Sequence, residues 1–126
     1  MFIAIDLDSK LPIYEQIQNQ IFIGISRGQL EPDEVLPSVR QLASDLGINL
    51  HTVNKAYKEL ENRGFLKMDR SAGTRVRGDL AKLSLSEETI LLDSIKVILA
   101  EYNSRGYSHE EITEIIRQSL KEVSYE

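Results

Sequence analysis

The stretch SVRQLASDLGINLHTVNKAYKELENR, residues 38–63, constrains the fold of this chain more than any other. Val39, Leu42, Ala43 and Leu46 recur at helical spacing, and so do Val53, Ala56, Tyr57 and Leu60. Gly47 stands between the two stripes, where a helix can stop on a left-handed residue. The stretch therefore predicts two short helices joined by a tight turn. Two helices that cross steeply need a small residue where they touch, and Ala43 supplies it. Ser38 followed by Gln41 has the spacing of a capping box, and Asn49 can cap the second helix, which is expected to run to about Arg63 before Gly64.

The flanks extend the pattern. MFIAIDL is short and β-prone and reads as an extended arm. Ile13, Ile17, Ile21 and Ile25 lie four apart, which predicts a helix that starts at Pro12 and stops at Gly28. LEPDEVLP reads as a loop. FLKMD and TRVRG flank RSAG and predict a hairpin over about 65–78, with residues 79–83 as a junction. Beyond it, Ser84 with Glu87 and Ser108 with Glu111 are two further capping boxes, each opening an apolar-striped helix around a turn at Gly106. The expected fold is mainly α (α+β). An N-terminal winged helix-turn-helix over 1–78 is followed by a two-helix dimerisation tail over 79–126.

Charge distribution narrows the function. The net charge is −5. Residues 1–35 hold two basic and six acidic side chains, residues 36–78 hold eight and four, and residues 79–126 hold five and ten. A basic middle between acidic ends directs any polyanion to the predicted helix-turn-helix. The chain has no cysteine, which excludes disulfides, thiol catalysis and Cys-based zinc sites. The N-terminus has no basic start followed by a long apolar run, and no stretch approaches the roughly 20 apolar residues of a membrane span. A soluble, cytoplasmic protein is expected. No nucleophile–base set, phosphate loop or metal cluster points to an enzyme. His51 and His109 are far apart in the chain, so no metal site and no cofactor are expected.

The outer face of the second central helix carries His51, Thr52, Asn54 and Lys55, a mixture of donors and acceptors suited to base edges and phosphates in a major groove. Arg70, Arg75 and Arg77 fall on the predicted wing, where they can meet phosphates or enter the minor groove. Each has a simpler reading as a surface charge. Arg40 in particular could pair with Asp45 or Glu59, and Lys58 reads as an ordinary surface lysine. In the tail, Leu91, Ile95, Ile98, Leu99 and Tyr102 stripe one helix, and Ile112, Ile115, Ile116, Leu120 and Val123 stripe the other. These stripes form either an intrachain core or a dimer seam. Two helices alone bury two long stripes poorly, which favours a seam that also packs on the first helix.

LPSVRQLASDLGINLHTVNKAYKELENRGFL followed by SAGTRV resembles the GntR family of bacterial transcription regulators, over residues 10–78. The short two-helix tail is similar to that of the family's YtrA-type branch. The resemblance implies a homodimer bound to double-stranded operator DNA, commonly a repressor and often of a transporter operon. It also implies roles for Arg40 as a DNA contact, Ser38 as a cap that also touches phosphate, Thr52 as a base or backbone contact, and Gly73 with Thr74 as the wing tip. Leu50 and Asn54 stand where many members of the family carry basic residues, and Ser71 replaces the first glycine of a common Gly-x-Gly wing tip. With the helix-capping Asn49, the expected DNA-facing set is Ser38, Arg40, Asn49, His51, Thr52, Asn54, Lys55, Arg70, Gly73, Thr74 and Arg75. The alternative is a winged-helix protein-interaction module without DNA. The sequence names no effector.

Overall fold

A computed structural model describes residues 3–124. They divide into two compact units, one running up to Leu80 and the other from Ala81.

The first unit contains α1 (Ile13–Ser26), α2 (Val39–Leu46), α3 (Leu50–Asn62), β1 (Leu66–Asp69) and β2 (Gly73–Val76). The isoleucine stripe of α1 turns inward: Ile17 and Ile21 are sealed from water, with Ile13 and Ile25 packed at the margin. They meet Leu42 and Ala43 of α2 and Val53, Ala56, Tyr57 and Leu60 of α3, while Leu66 and Val76 close the core from the hairpin. Fully burying each such Leu, Ile or Val contributes roughly 1.5–3 kcal/mol. The Tyr57 hydroxyl donates to the Pro37 carbonyl at 2.8 Å, so the ring is buried without stranding its polar end. Burial pushes its phenol well above the usual tyrosine range.

The helix-turn-helix closes as the spacing predicts. Ser38 Oγ accepts from the Gln41 N–H at 3.0 Å. The return half of that capping box is absent, because the Gln41 side chain donates to Asp45 Oδ1 instead. Gly47 sits at φ 66°, ψ 36°, the left-handed region that a Cβ would strain. Asn49 Oδ1 then accepts from the His51 N–H at 2.7 Å and starts α3.

The extended arm and the loop after α1 are both organised by pairing. Ala4 and Asp6 of the arm each exchange a donor and an acceptor with one glutamine of α1, Gln20 and Gln16 respectively. This clasp buries Ile3; Met1 and Phe2, also in the predicted arm, lie outside the described residues. The loop after α1 runs along the free edge of β2. The Leu36 N–H donates to the Thr74 carbonyl at 2.7 Å, and the Asp33 and Val76 N–H groups donate to the Val76 and Glu34 carbonyls. The hairpin pairs Leu66 with Val76 and Asp69 with Gly73. A two-stranded hairpin is marginal alone, and this third run both widens it and covers an edge.

The second unit is a pair of helices, α4 (Leu85–Ser104) and α5 (His109–Val123). Both predicted capping boxes form in full, at Ser84 with Glu87 and at Ser108 with Glu111. Accepting the Ser hydroxyl and backbone donors holds both glutamates below the usual carboxylate range. Gly106 makes the turn at φ 89°, and Tyr102 and Tyr107 meet edge to face across it at 5.2 Å. No described residue of α4 is buried, and Ile112 alone is buried in α5. No helix of the described residues is long and apolar enough to cross a membrane.

Candidate nucleic-acid interface

The interface is built on α3, because its apolar side is spent on the core and its other side is left to water. Val53, Ala56, Tyr57 and Leu60 face inward. His51, Asn54 and Lys55 are exposed on the opposite side, and Thr52 is half-buried at the margin. The N-terminal turn of α3 adds a partial positive charge beside them, its His51, Thr52 and Val53 amides already donating to Asn49. Asn49 has its side-chain oxygen occupied as the cap, which fixes the helix end and leaves the side-chain amide N–H groups to donate.

Arg40 projects from the first turn of α2 and is exposed. Among the described residues it forms no ion pair. Both carboxylates that might have neutralised it are held by glutamines: Gln41 Nε2 donates to Asp45 and Gln18 Nε2 to Glu59. The guanidinium therefore keeps its donors for an external acceptor.

The wing tip is shaped by a residue the sequence did not single out. Asp69 Oδ1 accepts from the Ser71 N–H and Ser71 Oγ, each at 2.8 Å, and from the Ala72 N–H at 3.3 Å. These bonds hold the Asp69 carboxyl below its usual range. Ser71 thus replaces a glycine's flexibility with a hydroxyl that ties the turn to Asp69. Gly73 follows at φ 78°. Arg70 is exposed at the tip without an ion-pair partner, and Arg75 has a buried Nε with no hydrogen-bond partner among the described residues. Lys67 stands directly across the ladder from Arg75 on the same face. This outward like-charged pair costs stability unless an anion lies near. Its signal was the alternation of strand faces, which sets Lys67 beside Arg75.

Two expected contacts are placed elsewhere. Thr74 is 6% exposed and points into the unit beside Val76, so its side chain does not join this surface. Arg77 forms a two-pronged bond to Asp79, at 2.9 and 2.8 Å, which raises the arginine and lowers the aspartate from their usual ranges through that hydrogen bond. Lys58 pairs with Glu61 and remains an ordinary surface lysine. In the tail, Leu91, Ile95, Ile98, Ile116 and Leu120 are exposed, Leu99, Tyr102 and Ile115 are half-buried, and Ile112 is buried. Among the described residues no cluster of three or more His, Cys, Asp or Glu side chains could hold a metal.

Comparison with known proteins accords with this geometry. The model of the family described as "Bacterial regulatory proteins, gntR family" matches residues 13–76. The HTH-type transcriptional repressor YtrA of Bacillus subtilis (strain 168) is 37% identical over 96% of this chain and 94% of its own length. The crystal structure of a transcriptional antiterminator from Listeria monocytogenes EGD-e superposes with a TM-score of 0.87 at 31% identity, covering 94% of this chain and 90% of that one. The DNA-binding domain of AraR in complex with operator ORE1 matches at TM-score 0.50 and 29% identity, over 60% of this chain and 93% of that one. The chain belongs to the gntR family of bacterial regulatory proteins, in its short-tailed YtrA-type branch.

Proposed function

We propose that this protein is a homodimeric, operator-binding transcriptional repressor working in the cytoplasm. Residues 1–78 form its DNA-binding domain and residues 79–126 its dimerisation tail. Each protomer lays the N-terminal half of α3 in a major groove. Arg40, His51, Thr52 and Asn54 reach for base edges, Ser38 and Lys55 sit by the backbone, and Arg70, Gly73 and Arg75 follow the wing toward the next phosphates. The observation that carries this reading is the state of the cations. Arg40, Lys55, Arg70 and Arg75 surround α3 and the wing, and none is neutralised by a carboxylate among the described residues of a chain that is acidic overall.

The exposed stripe of Leu91, Ile95 and Ile98, with Leu99, Tyr102, Ile112, Ile115, Ile116 and Leu120, supports the dimer. So much apolar surface is unusual on a solvated helix pair. Twofold pairing would set two α3 helices against half-sites about one turn of DNA apart. The test is a set of duplexes selected from random sequence, titrated at several salt concentrations. Affinity should fall steeply with salt, by roughly 0.9 logarithmic units per tenfold rise for each phosphate contacted. No affinity at low salt would assign the fold to a protein partner instead.

A further inference from the structure

We infer that the face of α1 that carries Tyr14 and Gln18 is a positioning element that holds the Lys55 ammonium of α3 uncommitted for a DNA phosphate. The inference rests on the operator-binding reading above. Lys55 Nζ lies 4.0 Å from the centre of the Tyr14 ring. The face of an aromatic ring attracts an ammonium group without neutralising it with a carboxylate. The Tyr14 hydroxyl donates to Glu15 Oε1 at 3.1 Å, away from the ring face that meets the ammonium. The half-buried ring thereby narrows the sweep of a four-carbon side chain before DNA arrives.

Gln18 acts on the competitor. Glu59 follows Lys55 by one turn, the spacing at which opposite charges close on each other. They do not pair. Gln18 is 8% exposed, and its Nε2 donates to Glu59 Oε2 at 2.8 Å and to the Ala56 carbonyl at 3.3 Å. The carboxylate is drawn toward α1 while the ammonium rests on the ring. One helix that touches no base in this reading thus sets where α3 presents its lysine.

The experiment uses the full-length protein and a duplex selected from random sequence, with fluorescence anisotropy at several salt concentrations and thermal unfolding as a check of folding. Lys55→Ala should weaken binding and reduce the salt slope by about one. Tyr14→Leu should weaken binding about two- to fivefold, and Tyr14→Phe, which keeps the ring face, should restore it. In the Lys55→Ala background, Tyr14→Leu should have no further effect. Gln18→Leu should weaken binding, and adding Glu59→Gln should recover it. An equal loss from Tyr14→Leu with and without Lys55 would overturn the inference, as would a Tyr14→Phe protein as weak as Tyr14→Leu. A wild-type protein with no salt-dependent affinity overturns the operator-binding reading as well, whereas salt-dependent binding without Tyr14–Lys55 coupling overturns this inference alone.

Discussion

In the first unit Ile17, Ile21, Tyr57, Leu60 and Leu66 are sealed from water, whereas in the tail Leu91, Ile95 and Ile98 are 43%, 50% and 58% exposed. Both regions carry regular apolar stripes, and side chains cap two helices in each, α2 and α3 in the first and α4 and α5 in the second. They differ in what the stripe meets. Three helices and a hairpin enclose a core from several sides, but two helices meet along one line and leave most of each stripe outside. The first unit encloses its stripes within one chain, and the tail leaves most of its apolar stripe exposed.

The largest expected effect tests that contrast directly. Leu60→Ala should cost about 2–5 kcal/mol, because a sealed site collapses poorly around the cavity. Chemical denaturation should show the loss at every protein concentration. Ile95→Asp with Ile98→Asp should instead leave the first unit folded and halve the mass seen by sedimentation, and a mass that stays unchanged would remove this stripe from the seam. Arg40→Ala should cost on the order of 1–3 kcal/mol in operator affinity if the guanidinium contacts a base, with no change in sedimentation. Tyr57→Phe should cost about 1–2 kcal/mol of stability by stripping the Pro37 carbonyl of its donor, read as a lower melting temperature. The smallest effect belongs to acid. Glu87 and Glu111 have lowered folded-state pKa values, so their contribution is present above the ordinary carboxylate range and is lost as pH falls through the folded values. Helix content in the tail should decline there, and Glu111→Gln should blunt the decline.

Much of this was legible in the residues. The positions of Ala43, Gly47 and Asn49 specify the turn because each solves a local problem of space, dihedral angle or capping, and such problems are written within a few residues. The core stripes were legible for the same reason. Thr74 shows where motif matching misleads: it resembles a wing-tip contact, yet the two-residue period of a strand places it on the same inward face as Val76. Arg77 could not be separated from Arg75 by composition, since the difference is one bidentate partner, Asp79. The clasp on the arm, the sheltering of Glu59 and the docking of Lys55 on Tyr14 join residues ten to forty-one apart. No local periodicity encodes a contact of that reach.

The paired amides that bind the arm have a consequence for substitution. Gln16 and Gln20 address peptide groups, not side chains, so Ala4 and Asp6 could be exchanged for many residues without loosening the clasp. The glutamines have no such latitude. A glutamate in either place has the same shape but only accepts, so the Asp6 or Ala4 carbonyl would face an anion, and the segment around Ala4 and Asp6 would lift from α1.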